Sequence, residues 1–164
     1  MVEPPLFPDE LVSTAGERTV LETFLDHYRA EVVRKLRGVS EQDARRRLVP
    51  SLTTLGGLVK HLTVVEESWF LRRMGGRDLG PRPTVEEEFT LTDSDTVESL
   101  IADYERMCAQ TRAEAARHEL DDVVPHHRMG QVSLRWIYVH LIEETARHAG
   151  HADILREQID GSAD

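Results

Sequence analysis

Apolar residues recur at intervals of three and four along most of the chain, and no stretch holds a period-two alternation for long. The pattern predicts an all-α protein. Val20, Leu21, Phe24, Leu25, Tyr28, Val32 and Leu36 trace one face of a first long helix that stops at Gly38, with Thr14 and Glu17 in capping-box spacing ahead of it. Ser40 and Asp43 cap a short connector over residues 41–47, which ends before Pro50 because the residue preceding a proline avoids the helical region. Thr53 or Thr54 then opens a second helix through Leu55, Leu58, Leu62, Val65 and Trp69, running out at Gly75 and Gly76. A third, opened by Asp95 and Glu98, uses Leu100, Ile101, Tyr104, Cys108, Thr111 and Ala115 and ends near residues 118–120. The last opens at Ser133 and carries Leu134, Ile137, Tyr138, Leu141, Thr145, Ala149, Ala152 and Leu155 before Gly161.

Two stretches break the helical period. Residues 77–92 contain Pro81, Pro83, Phe89 and the acidic run 86–88, and read as a long surface connection with the glutamates solvated. Residues 121–132, with Pro125 and Gly130, read as a second connection, and the string HHRMGQ at 126–131 as a surface loop. Four long amphipathic helices in 164 residues pack most simply as a four-helix bundle in one domain, with residues 1–13 an extended N-terminal arm.

Composition narrows the function classes. Hydrophobic residues make up 40% and charged residues 30%, enough apolar surface to bury a core. Twenty basic against thirty acidic side chains give a net charge of −10, which repels a phosphate backbone, so no nucleic-acid partner is expected. Charges interrupt every apolar run well short of the roughly 20 residues that span a bilayer, so no membrane partner is expected. Residues 1–10 lack the basic and apolar regions of a secretory leader, and Cys108 has no disulfide partner; together these point to the cytoplasm.

Candidate chemistry sits where polar groups interrupt an apolar stripe, because an unpaired buried charge costs several kcal/mol and is normally neutralised, paired or bound to metal. On the last helix Ile137, Leu141, Glu144, His148, His151 and Leu155 fall within about a quarter-turn of one another at 100° per residue. Glu144 and His148, four apart, stand on successive turns with Cβ atoms about 5 to 6 Å apart, close enough to share one ion. His61, the only histidine of the second helix, lies at the edge of its stripe and is the natural third ligand. A His₂Glu set leaves positions open for water or substrate, and suits Zn²⁺ or Ni²⁺ better than Mg²⁺ or Ca²⁺. The same spacing is met by a flank salt bridge beside a core histidine, and the pattern alone leaves both open. His151 fits a fourth ligand, a proton shuttle or a group supporting the ligands, and His140 falls on the flank.

The strings SLTTLGGLVKHLTVVEESWF at 51–70 and SLRWIYVHLIEETARHAGHADILREQIDG at 133–161, with RRRLVPS before the first, resemble the DinB-like superfamily, specifically its actinobacterial mini-circle-protein branch. The resemblance extends over nearly the whole chain and is weakest at 77–92 and 120–131. It implies a four-helix bundle of the DinB/YfiT-like type, frequently dimeric. It also implies a divalent metal held by one His of the second helix and a His–x₃–His or Glu–x₃–His pair of the last. Carried over, these positions are His61, Glu144 and His148. Glu at the first member of the pair is similar to the mycothiol-dependent maleylpyruvate isomerases. His151 stands where many relatives carry Gln after an HRG triplet.

The implied activity is a metal-dependent transferase or isomerase in which the open site activates a low-molecular-weight thiol, mycothiol, against an electrophile, with His151 assisting proton transfer in a cytoplasmic homodimer. The competing readings are a non-catalytic metal- or ligand-binding stress protein and a structural dimerisation module. Trp69, Phe70, Trp136 and Tyr138 read as core or interface anchors, Cys108 as a small buried hydrophobe, Glu66 as a surface or paired carboxylate or a second group for proton transfer, and Arg45, Arg46 and Arg47 as surface.

Overall fold

The computed structural model describes residues 6–161, and they are mostly helical. The long helices are α1 (Glu17–Leu36), α3 (Leu55–Glu66, continuing as a π-helical stretch, Glu67–Met74), α5 (Val97–Ala115) and α6 (Leu134–Asp160). Two short helices, α2 (Glu41–Ala44) and α4 (Val85–Phe89), lie in the connections. Most starts are set by hydroxyl caps that satisfy otherwise unpaired backbone N–H groups. Asp43 N–H donates to Ser40 Oγ at 3.1 Å, Gly57 N–H to Thr54 Oγ1 at 3.0 Å, and Trp136 N–H to Ser133 Oγ at 3.2 Å. Two starts differ from the sequence expectation. Helix α1 begins after Gly16 with no side-chain cap, so Thr14 and Glu17 form no capping box. Helix α5 is capped by Thr96 with Ser99, which frees Asp95 to bind Thr92 and Lys60.

The stretch expected to be an extended arm holds a 3₁₀ turn at Glu10–Val12; residues 1–5 lie outside the described residues. The connection at 121–132 holds an antiparallel hairpin, β1 (Val123–His126) and β2 (Gly130–Ser133). The all-α expectation broadly fits, but the loop expected at HHRMGQ is the turn and strand ends of this hairpin. Each strand has only four residues, and one cross-strand pair, Val124 with Val132, turns inward, so no alternation could register in the sequence. His126 closes the turn, its Nδ1 accepting from the N–H groups of Arg128 and Met129 at 3.2 and 3.3 Å, and Gly130 adopts φ +75°.

Helix α1 packs along α6, and α3 packs along α5 and across α6. Two apolar clusters fill the interior. One gathers Val32, Leu36, Leu55, Leu58, Leu62, Tyr104, Cys108, Ala152 and Leu155; the other Leu25, Phe70, Leu134, Ile137, Tyr138 and Leu141. On α1, α5 and α6 a buried polar side chain falls between the residues of the two clusters, Arg29, Thr111 and Thr145, and on α3 the buried Glu66 follows Val65 of the second. Arg29 Nε and Nη2 donate to Glu66 at 2.7 and 2.6 Å, and the Thr111 hydroxyl donates to Glu66 at 2.9 Å. An ion pair taken this far out of water persists because both carboxylate oxygens are engaged. It fixes the level at which α1, α3 and α5 meet. Among the described residues, no helix is long and apolar enough to cross a membrane.

Candidate metal centre

Where α3 crosses α6, His61, Glu144 and His148 meet. Their nearest ligand atoms lie within 4.8 Å of one another. His61 Nε2 is 3.3 Å and His148 Nε2 is 3.1 Å from the same oxygen, Glu144 Oε1. Donors sharing one ion at bond lengths of about 2.0 to 2.2 Å stand roughly 3.0 to 3.5 Å apart, so these separations fit a divalent cation with little movement. The side chains retain 11% (His61), 16% (Glu144) and 12% (His148) exposure, so none of the three is fully enclosed. Hydrogen bonds from His148 and then His61 hold the Glu144 carboxyl well below the usual carboxylate range, so it is anionic at neutral pH, the form that could hold a cation.

The imidazoles are also held from behind. His61 Nδ1 lies 2.9 Å from Glu88 Oε2, where a carboxylate accepting Nδ1–H would keep that proton on Nδ1 and free Nε2 for a cation in place of its hydrogen bond to Glu144. His148 Nδ1 lies 3.3 Å from Nδ1 of His151, the arrangement that leaves its Nε2 facing the same point. His151 is itself exposed and stands outside the trio. The structure thus brings three of the four sequence candidates together and places the fourth beside them. Glu66 points into the interior ion pair, away from this site. His140 stacks on Trp136 on the flank, and Trp136 is exposed.

Glu88 and Phe89 were missed. Both belong to α4, in the stretch read as solvated connection, yet Glu88 is 1% exposed and Phe89 stacks on His61 with ring centroids 4.3 Å apart. The signal was present in Thr84 and Glu87, whose capping box starts α4 and turns Glu88 inward while Glu86 and Glu87 stay in water. Arg82 Nε donates to the second Glu88 oxygen at 2.9 Å, completing its partners. Two glycines let this segment sit close to α3. A Cβ on Gly57 would stand 2.5 Å from Phe89 O, and one on Gly56 2.7 Å from Leu91 Cδ1. Lys60 then ties the segment down, donating to Thr90 O at 2.8 Å and to Asp95 at 2.9 Å.

A helical core crossed by one open His₂Glu cluster, with a buried carboxylate behind one imidazole, is equipped to present a cation to a small molecule. A comparison with curated proteins finds no match. The family model described as mycothiol-S-transferase matches residues 20–161, a span that includes the four long helices almost entirely and every residue of the cluster. The chain therefore belongs to the mycothiol-S-transferase family, within the DinB-like superfamily.

Proposed function

We propose that the protein is a divalent-metal-dependent transferase that joins the sulfur of mycothiol to an electrophilic carbon. The observation that carries this is the convergence of His61 Nε2, Glu144 Oε1 and His148 Nε2 on one partly open point. Two neutral imidazoles and one carboxylate suit Zn²⁺ or Ni²⁺, and three protein ligands leave room for an exogenous one. Such a cation, when bound, lowers the pKa of a coordinated thiol and keeps it as thiolate at neutral pH. The chain supplies the rest. Glu88 fixes the His61 tautomer, and Phe89 covers one face of that ring. His151, exposed and 3.3 Å from His148, receives the proton released by the thiol and returns it to the product. In this reading the chain is one domain, a four-helix bundle of the DinB/YfiT-like type, working as a soluble cytoplasmic homodimer.

Metal content and conjugation test the two halves separately. Purified protein is expected to hold close to one equivalent of Zn²⁺ or Ni²⁺ and His148→Ala to lose it; equal content in both ends the metal assignment. With metal established, mycothiol is expected to be consumed with a reactive electrophile, and His151→Ala to slow turnover when compared with wild type at equal metal loading. Inactivity across a panel of halides, epoxides and enones leaves a metal-binding protein without transfer chemistry.

A further inference from the structure

Beside His151 lies a cavity of about 300 Å³, lined by Val49, Ser51 and Thr53 from the segment before α3 and by His151, Ile154 and Leu155 from α6. Its volume is at the low end of the range for small-molecule sites. One imidazole separates it from the cation ligands, since the same His151 that lines it sits 3.3 Å from His148. None of the three cation ligands borders this cavity or the larger groove between α1 and α5, which is lined by Arg29, Tyr104 and Arg112; what separates the two is His151, which lines the smaller one and contacts His148.

Resting on the transferase reading, we infer that this cavity receives the electrophile, and that the electrophile is a small, uncharged, largely apolar α,β-unsaturated ketone. The walls are aliphatic at Val49, Ile154 and Leu155 and contain neither a carboxylate nor a guanidinium, so the cavity holds no fixed charge to pair with a charged substrate. The polar groups are the Ser51 and Thr53 hydroxyls, 2.9 Å apart, and the His151 ring, which suit one carbonyl oxygen. Ile154 remains 54% exposed, an open apolar wall that a ligand would cover. The reaction balances without a leaving group or a redox partner. The thiolate sulfur forms a bond to the β-carbon, the C=C pair shifts toward the carbonyl, and the proton the thiol gave up is added at the α-carbon.

The test uses propiophenone, the saturated and unreactive counterpart of phenyl vinyl ketone, added to metal-free full-length protein labelled in its methyl groups. Shifts are expected at Ile154, Leu155 and Val49. Ile154→Glu is expected to remove them and to raise KM for phenyl vinyl ketone about tenfold with kcat and metal content unchanged, the effect of losing apolar contact in a pocket. Shifts confined to methyls of the α1 and α5 groove, no shifts at all, or an unchanged KM in Ile154→Glu overturn the inference. Wild-type protein that shows the shifts but binds no metal instead overturns the transferase reading and leaves the cavity assignment standing.

Discussion

Removing Glu88 is the sharpest probe of how the centre is built. Its carboxylate is 1% exposed and uses both oxygens, one on His61 Nδ1 and one on Arg82 Nε, each at 2.9 Å. Glu88→Ala leaves the His61 Nδ1–H without its acceptor in a buried site, a loss of about 1 to 3 kcal/mol. The ring can recover a partner only by changing tautomer or rotating, and either takes the Nε2 lone pair off the point it shares with Glu144 and His148. Losing the group that orients a histidine ligand typically weakens metal binding by about 10- to 100-fold, which is about 1.4 to 2.7 kcal/mol. Glu88→Gln keeps an oxygen acceptor without the charge and is expected to fall between Ala and wild type. Competition for Zn²⁺ against a chromophoric chelator, at one pH and with folding checked by circular dichroism, measures all three. Glu86→Ala, two residues earlier and exposed, is the control and is expected to match wild type. A folded Glu88→Ala protein that holds Zn²⁺ as tightly as wild type would refute the reasoning and reduce Glu88 to a buried partner of Arg82.

Further expectations address the frame around the centre. Gly57→Ala puts a Cβ 2.5 Å from the Phe89 carbonyl and is expected to cost about 1 to 3 kcal/mol in urea unfolding while also weakening Zn²⁺ binding. Gly150→Ala, on α6 with nothing within 4 Å, is instead expected to stabilise by up to about 1 kcal/mol. Arg29→Met strands the buried Glu66 carboxylate and is expected to destabilise by about 3 to 5 kcal/mol, most of it recovered in Arg29→Met/Glu66→Met. Chemical denaturation of the single and double variants decides that comparison. Burial pushes the Cys108 thiol up to about 12, so native protein at pH 7.5 is expected to resist iodoacetamide and to react once unfolded. The unfolded thiol ionises near 8.5 while the folded one stays protonated toward 12. Above pH 9 the unfolded state therefore binds fewer protons, and this group's contribution to stability falls as pH rises. Rapid labelling of native protein at neutral pH would contradict the burial.

The long helices were legible because each repeats its apolar signal over several turns, and two of them carry the start signal that the sequence assigns. Thr54 and Ser133 cap the helices that the sequence assigns to them, and the Glu144 and His148 spacing on α6 needs no tertiary information to place both side chains on one stripe. What remained hidden is short or depends on distant contacts. The hairpin buries Val124 and Val132 from strands of four residues, and α4 spans five. The acidic run at 86–88 reads as solvated by composition, yet the capping turn at Thr84 gives its three members different fates. Only the approach of α4 to α3 makes the third one a partner of His61.

That approach explains why two glycines stand in the first turn of α3. Gly56 and Gly57 cost α3 helical propensity, about 1 kcal/mol each relative to Ala. Without their Cβ positions vacant, the backbone at Phe89 and the Leu91 side chain could not lie where they do. His61 falls one turn after Gly57, so the close approach places Glu88 and Phe89 against its ring, with Phe89 also edge-on to His148 at 6.3 Å. The weakness in α3 and the orientation of its ligand are thus one feature. The Gly57→Ala experiment separates it from a purely structural role: loss of stability with unchanged Zn²⁺ affinity would mean that α4 can shift without carrying Glu88 off His61.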